Sequence, residues 1–294
     1  MDISMTTDFG GWYGPPIPQL RLIAEAGFSH LHWCHHYNSD FLYLPCEIAA
    51  MRRAVRELGL KVLDVHGSYG QEKRFWSLLE YEREAGVELI RNRAELYSGL
   101  EATGALIMHL PYITPDMKEA AAAQQRKFME QAIRSLDEVM PYLETLGVNV
   151  AFENMPDDNW ELLDIALERY PKSGICYDSG HGNRTYKHLD EINKRRGRLT
   201  TLHLNDNNEK ADQHFTPFMG TVDWERVTSI IADSPYVKPL SFELCMRDTP
   251  FQKVAFTPIP SSPEADQRAY LADAMERCTR VCNMYEAAKK KLGK

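Results

Sequence analysis

The sequence lacks the features that mark several classes of protein. Met1–Asp8 has neither the basic nor the apolar region of a signal peptide, and no run approaches the roughly eighteen apolar residues of a membrane span. The six cysteines show no CxxC spacing. A net charge of −8 weighs against a protein that grips nucleic acid, although a local basic patch can oppose the net charge. We therefore expect a cytoplasmic protein with reduced cysteines and no membrane partner.

No Gly/Ser-rich or Pro-rich linker divides the 294 residues, and short apolar runs alternate with helical segments along the whole chain. The predicted strands are Asp2–Thr6, Ser29–Trp33, Lys61–His66, Ala105–His109, Val148–Glu153, Gly174–Asp178, Leu199–His203 and Leu240–Glu243. Four glycines that precede strands are predicted to end helices: Gly27, Gly59, Gly104 and Gly147.

Eight β-then-α units of this kind predict a parallel sheet with helical crossovers. An open doubly wound sheet would also fit, but it normally shows a GxGxxG turn after its first strand, and Gly10-Gly11-Trp12 lacks that spacing. We therefore predict a single α/β domain over residues 1–294 with the fold of a (β/α)₈ barrel.

Polar residues stand at the ends of the last six predicted strands. Alternation along each strand places small or polar residues on the inner face, and the last inner residue is a His, Asp or Glu each time. These residues are His66, His109, Glu153, Asp178, His203 and Glu243. The mouth at the carboxyl ends of the strands is where barrel enzymes carry their chemistry.

Unpaired carboxylates gathered at one buried rim would repel one another and lose hydration, and a divalent cation removes that cost. Imidazole and carboxylate ligands suit Mn²⁺, Co²⁺, Zn²⁺, Fe²⁺ or Mg²⁺, with imidazole shifting the balance away from Mg²⁺. We predict a metal site on Glu153, Asp178, His203 and Glu243. His66 and His109 remain open between metal ligands, substrate contacts and hydrogen-bonded core histidines.

The loops after the sixth and seventh strands add further candidates. His181 follows Asp178 by one turn, and Asp212 and His214 have a DxH spacing that fits either a metal ligand pair or an Asx turn. Asp223 is predicted to cap a helix. Trp12, Trp33, Trp76 and Trp160 are each expected in the core, with stacking on a sugar ring as the alternative. The four histidines around the second strand receive no role, because their register is ambiguous.

With these residues in place, the chain resembles the xylose isomerase-like TIM barrels. It is most similar to the sugar phosphate isomerase/epimerase group, which includes ketose 3-epimerases, hydroxypyruvate isomerases and inosose dehydratases. The stretches that carry the resemblance are Val65-His66-Gly67, Phe152-Glu153-Asn154, Tyr177-Asp178-Ser179-Gly180-His181, Leu202-His203-Leu204-Asn205-Asp206-Asn207, Asp212-Gln213-His214, Gly220-Thr221-Val222-Asp223-Trp224 and Phe242-Glu243.

The resemblance implies a divalent metal on Glu153, Asp178, His203 and Glu243 that grips vicinal oxygens of a sugar or sugar phosphate. It also implies that Glu153 and Glu243 act as an acid/base pair through an enediolate, and that His181 contacts the substrate beside its carbonyl oxygen. We group His66 and His109 with His181 as substrate contacts. Relatives of this group often form dimers or tetramers, so a homo-oligomer is an open expectation.

The sequence departs from the group at two places. Pro217-Phe218-Met219-Gly220 replaces a Pro-Gly-Glu-Gly stretch, and the arginine that several epimerases carry after the strand-seven histidine is absent. Three alternatives stand beside the isomerase: an inosose dehydratase-like lyase, a zinc-dependent apurinic/apyrimidinic endonuclease, and a barrel that binds a sugar or metal without turning it over. The endonucleases use nine zinc ligands, and matching residues are His66, His109, Glu153, Asp178, His181, His203, Asp212, His214 and Glu243.

Overall fold

Eight parallel strands form one sheet in the computed structural model, which describes residues 2–111, 119–156, 160–184 and 188–294. The strands are β1 (Ile3–Thr6), β2 (His30–Trp33), β3 (Lys61–His66), β4 (Leu106–Met108), β5 (Val150–Glu153), β6 (Gly174–Asp178), β7 (Leu199–His203) and β8 (Leu240–Phe242). Each strand from β1 to β6 pairs with the next along the chain, and β1 also pairs with β8. The predicted order and direction of the strands are confirmed.

Helices separate the strands and cover the outside of the sheet. They are α1 (Ile17–Glu25), α2 (Pro45–Glu57), α3 (Glu80–Gly99), α4 (Glu119–Thr145), α5 (Trp160–Arg169), the single-turn α6 (Ser179–Asn183), α7 (His188–Arg195), α8 (Trp224–Asp233) and α9 (Glu264–Lys291), with a 3₁₀ turn at Arg196–Arg198. The Asp223 carboxylate accepts a hydrogen bond from the Arg226 amide at 3.0 Å, which confirms the predicted cap of α8.

The barrel closes where β7 meets β8, just beyond the named strands. Leu204 forms a parallel bridge with Phe242. The Leu204 amide donates to the Ser241 carbonyl at 2.9 Å, and the Glu243 amide donates to the Leu204 carbonyl at 3.1 Å. These bonds make the sheet a nearly closed (β/α)₈ barrel, as the alternation of elements predicts.

Two separate apolar clusters follow from the alternation of side chains along the strands. The larger one fills the space between sheet and helices, and a small one of Ala105, Ile107, Ala151 and Cys176 lies inside the barrel. Small inner side chains leave room for the larger polar groups that end the strands. The barrel therefore presents its His, Asp and Glu side chains together at one mouth.

The prediction that Gly104 ends a helix is wrong. Helix α3 ends at Gly99, and Glu101 takes the left-handed position after it (φ 58°), while the Ala102 amide returns to the Tyr97 carbonyl. Gly104 serves a different purpose, because a Cβ there would lie 2.5 Å from the Leu63 carbonyl oxygen. Gly27, Gly59 and Gly147 all have positive φ, as a helix-ending glycine should.

We expect Gly104→Ala to lower the free energy of unfolding by about 1–3 kcal/mol, because the added methyl group meets backbone that cannot move aside. Gly197→Ala is the matched control, since a Cβ at Gly197 meets no atom within 4 Å and φ there is not positive. Urea denaturation of both variants tests the difference. A Gly104→Ala protein as stable as Gly197→Ala would contradict the close approach.

All six cysteines are free thiols; Cys46 is exposed, and the others are buried, including Cys278 and Cys282 on α9. Within the described ranges, no helix has the length and apolar character needed to cross a bilayer.

Candidate metal centre

The four residues predicted to hold a metal meet at the barrel mouth. Glu153, Asp178 and His203 are the last residues of β5, β6 and β7, and Glu243 directly follows β8. One possible ligand atom from each side chain lies within 4.8 Å of those from the other three, and all four residues are buried. Parallel strands bring their carboxyl ends to one rim, which is why residues so distant in sequence converge here.

His203 lies at the centre of this group. Its Nδ1 is 3.2 Å from Glu153 Oε2 and 3.1 Å from Glu243 Oε2. Neither ring nitrogen has a hydrogen-bond partner within the part of the chain that the structure describes, although the ring is fully buried. Buried polar atoms normally have partners, so a nitrogen facing two carboxylates without one fits a divalent cation shared among them.

Burial and neighbouring charges set the protonation of the carboxylates. Burial alone would raise the pKa of Glu153, but the imidazoles of His203 and His109 hold it well below its usual range. The pKa of Glu243 is likewise held well below its usual range, by His203 and His214, against the effect of burial. Burial raises the pKa of Asp178 to about 6. The two glutamates are therefore ionised at neutral pH, as ligands or bases must be.

His66 and His109 lie on the β3–β4 side of Glu153. The Nε2 atoms of His66 and His109 are 3.7 and 3.0 Å from Glu153 Oε2, and the three residues form a second group with closely spaced ligand atoms. Burial lowers the pKa of His66 well below its usual range, so its imidazole is neutral. His66 Nδ1 donates to the Gly67 carbonyl at 2.8 Å, which leaves Nε2 with a lone pair facing the carboxylate.

His181, Asp212 and His214 form a third group on the other side. Asp212 Oδ2 is 3.3 Å from His181 Nε2 and 3.2 Å from His214 Nε2. Both imidazoles donate from Nδ1 to backbone carbonyls, of Asn154 at 2.9 Å and of Glu243 at 3.1 Å. Metal-binding histidines are commonly oriented by such bonds. These distances are those of hydrogen bonds between the carboxylate and the two imidazoles, so a metal ligand pair on Asp212 and His214 stays a prediction.

Two asparagines that the sequence analysis gave no role hold Asp178 in place. The Asp178 amide donates to Asn154 Oδ1 at 2.7 Å, Asn154 Nδ2 donates to the Asp178 carbonyl at 3.0 Å, and Asn205 Nδ2 donates to Asp178 Oδ2 at 2.8 Å. The sequence positions of the two asparagines could have indicated this role, because each stands one or two residues after a candidate ligand at the end of a strand. Such bonds orient a carboxylate before a metal arrives.

A polar layer below the rim was also missed. His32 Nδ1 is 2.5 Å from Asp64 Oδ1, and His32 Nε2 is 3.7 Å from Glu243 Oε1, with all three side chains buried. The pairing of β2 with β3 shifts register between Leu31 and His32. A simple alternation of residues cannot place a side chain across such a shift, which is why the histidines of β2 were ambiguous.

The loop between β7 and α8 is fastened by Asp206. Its buried carboxylate accepts four hydrogen bonds, from the amides of Asn207 (2.9 Å), Phe218 (2.9 Å) and Val222 (3.0 Å) and from the Trp224 indole (3.2 Å). An antiparallel bridge to Phe215 adds backbone bonds. This loop carries Asp212 and His214, so Asp206 positions two members of the third group from a distance.

A cavity of about 270 Å³ begins at Glu243, one of the four candidate ligands, and extends over the loops that follow β1, β2 and β8. Glu243, Asp212 and His214 line its inner side. Trp12 lines the outer part, whereas Trp33 and Trp76 are buried in the core, and Trp160 packs on His188 and Arg195. Of the four tryptophans, Trp12 alone is placed to touch a molecule in this cavity.

Comparisons with known proteins agree with this architecture. The sequence profile of the xylose isomerase-like TIM barrel family matches residues 20–276. An uncharacterized protein of Sinorhizobium fredii, y4fM, is 32% identical across 84% of this chain and 89% of its own length. An L-ribulose 3-epimerase superposes with a TM-score of 0.73 at 17% identity, covering 100% of this chain and 97% of the epimerase. A D-tagatose 3-epimerase-like protein gives 0.71 at 17% identity, covering 98% and 99%.

Proposed function

The chain belongs to the xylose isomerase-like TIM barrel family, and from that premise we propose that it is a divalent-metal-dependent sugar isomerase or epimerase. The observation that carries the proposal is the pair of buried, ionised glutamates, Glu153 and Glu243, that both lie beside His203. Glu243 also lines the cavity. The named structural relatives include two ketose 3-epimerase folds, which supports a sugar as substrate. The fold alone does not determine the reaction, so the proposed reaction depends on the residues at the barrel mouth.

Glu153, Asp178, His203 and Glu243 would hold the ion. When bound, Mn²⁺, Co²⁺, Zn²⁺ or Mg²⁺ would act as a Lewis acid that makes a carbon-bound proton beside a sugar carbonyl easier to remove. His66, His109 and His181 lie close to Glu153 and Asp212, and we propose that each hydrogen-bonds an oxygen of the sugar or takes part in a further metal site.

The two glutamates would move the proton. One ionised carboxylate takes the proton from the carbon beside the carbonyl, and the electron pair of the broken C–H bond forms an enediolate. In an epimerase the other glutamate must first take up a proton, from water or from a sugar hydroxyl, and it then returns that proton to the opposite face of the carbon; in an isomerase the proton that was removed returns to the neighbouring carbon. The carboxylates come from β5 and β8, so they approach a substrate in the mouth from different strands.

Metal content and proton exchange test this proposal together. Elemental analysis of protein purified without chelator or affinity-tag metal should give about one divalent ion per chain at a four-ligand site. NMR in deuterated water should then show incorporation of deuterium beside the carbonyl of at least one member of a ketose panel. Exchange that needs no metal, or no exchange with metal bound, would contradict the reaction. Loss of water from the sugar in the same spectra would instead indicate the lyase.

A second function is favoured by one specific observation. The nine residues that match the zinc ligands of apurinic/apyrimidinic endonucleases fall into three neighbouring groups here, around Glu153, His203 and Asp212. Against this reading, Arg247 is the only lysine or arginine among the described residues lining the cavity, where a phosphodiester would need several. Two or three zinc ions per chain, with cleavage of abasic DNA, would decide for the endonuclease.

The remaining expectations stay proposals. We propose that residues 1–294 act as one domain, in the cytoplasm, and that the chain forms a homo-oligomer. Light scattering after gel filtration tests the last of these directly, because a monomer at micromolar concentration would contradict it.

A further inference from the structure

The outer part of the cavity holds a buried carboxylate that is not one of the four candidate metal ligands. Asp8 lies after β1, lines the cavity and is only 6% exposed. Its Oδ2 has no hydrogen-bond partner among the described residues. A buried oxygen without a partner costs free energy, and a ligand that donates a hydrogen bond would recover it.

The surroundings hold Asp8 in a fixed position. Thr7 Oγ1 donates to Asp8 Oδ1 at 3.2 Å and accepts from the amides of Cys34 and His35, at 3.1 and 3.2 Å. His35 Nδ1 is 3.6 Å from Asp8 Oδ1, while its Nε2 donates to the Gly14 carbonyl at 2.7 Å. These contacts all involve Oδ1, so none of them occupies Oδ2.

Arg247, on the loop after β8, lines the same cavity. Its guanidinium carbon lies 5.8 Å from the centre of the Trp12 ring and 5.9 Å from that of Phe256, and Nη2 donates to the Asp212 carbonyl at 3.3 Å. The aromatic contacts hold the guanidinium in place. A sugar hydroxyl both donates and accepts, so a carboxylate and a guanidinium on one cavity wall complement adjacent hydroxyls.

The charge of Asp8 would distinguish a phosphorylated sugar from an unphosphorylated one. Glu243 would share its charge with a metal ion, whereas Asp8 is not among the groups of closely spaced ligand atoms. Burial raises the pKa of Asp8 and the adjacent His35 opposes that rise, so the ionised carboxylate has His35, and not a metal ion, as its partner. A phosphate group brought into this cavity would therefore meet a buried anion as well as Arg247. A hydroxyl group would meet an acceptor and a donor.

We propose that Asp8 and Arg247 form a subsite for the hydroxyls of an unphosphorylated sugar at the end remote from the reacting carbons. This inference rests on the proposed function and adds the substrate class to it. Asp8 rejects a phosphate at that position, and Arg247 fixes the hydroxyl that Asp8 accepts from. The subsite lies on the loops after β1 and β8, and none of the four proposed metal ligands belongs to it.

Equilibrium dialysis of radiolabelled D-fructose and D-fructose 6-phosphate on the Mn²⁺-loaded protein tests the subsite without requiring turnover. Wild-type protein should bind fructose about 10- to 100-fold more tightly than the phosphate. Asp8→Asn should reduce that preference by at least about tenfold, because the amide keeps the shape and removes the charge. Arg247→Gln should weaken both ligands and increase the preference for fructose, an effect of opposite sign.

Asp2→Asn is the matched control. Asp2 is exposed at the other end of β1 and does not line the cavity, so the change removes an equal charge and should leave both affinities unchanged. Equal or tighter binding of the phosphate by wild-type protein, an unchanged preference in Asp8→Asn, or no binding of either ligand would overturn the subsite. Fructose binding without proton exchange for any ketose would contradict only the proposed reaction.

Discussion

Replacing Glu243 with glutamine should lower the rate of carbon-bound proton exchange by about 10²–10⁴-fold, the range typical of a lost general acid or base. Glutamine keeps the size of the side chain but cannot take a proton, and it is a weaker ligand for a divalent ion. Glu153→Gln should fall in the same range, because its carboxylate lies beside the same His203 nitrogen. The measurement is deuterium exchange with the best ketose of the panel.

Metal content separates the two roles of these glutamates. A variant that retains its ion and has lost exchange has lost a base, whereas a variant without the ion has lost a ligand. Glu225→Gln is the matched control, because Glu225 is exposed on the first turn of α8 and the change in charge is the same. Full metal occupancy with more than about a tenth of the wild-type rate in Glu243→Gln would remove Glu243 from proton transfer.

The second large effect concerns stability rather than catalysis. Asp206→Ala should lower the free energy of unfolding by about 3–5 kcal/mol, because it leaves four buried donors without their acceptor. Chemical denaturation of metal-free protein measures this effect without a contribution from ligand binding. The loop that bears Asp212 and His214 should also become more susceptible to protease.

Asp223→Ala provides the comparison for Asp206→Ala. Asp223 is exposed and caps α8 through a single bond to the Arg226 amide, so its loss should cost about 1 kcal/mol. Both residues are aspartates that bind backbone amides at the two ends of one loop. If the Asp206 variant were no less stable than the Asp223 variant, the four bonds would not fasten the loop as described.

Strand positions and the convergence of Glu153, Asp178, His203 and Glu243 could be predicted from the sequence, because both depend on local alternation. That these residues hold a metal stays a prediction. Glu153, Asp178 and His203 end strands at the predicted residue, and β3, β6 and β7 have the predicted bounds. Alternation states which face a residue occupies, and the barrel brings the ends of all strands to one rim. The alternation along each strand, together with the barrel fold, was therefore enough to predict that these side chains lie together.

Other features depend on contacts that no local pattern records. Gly104 is required by its approach to the Leu63 carbonyl, and Asp206 by donors up to eighteen residues further along the chain. His32 faces Glu243 only because the β2–β3 pairing shifts register. Asp8 was not predicted as a site residue, because a single aspartate after a strand is common. Only the burial of its Oδ2 atom without a hydrogen-bond partner among the described residues distinguishes it.

The proposed metal ligands lie in the second half of the chain, whereas the proposed subsite draws on both ends of it. Glu153, Asp178 and His203 end β5, β6 and β7, and Glu243 directly follows β8. Asp8 lies after β1, far from these ligands along the chain, whereas Arg247 lies on the same loop as Glu243. We therefore expect exchange of the first βα unit to replace the carboxylate of the subsite while it leaves the four candidate ligands in place.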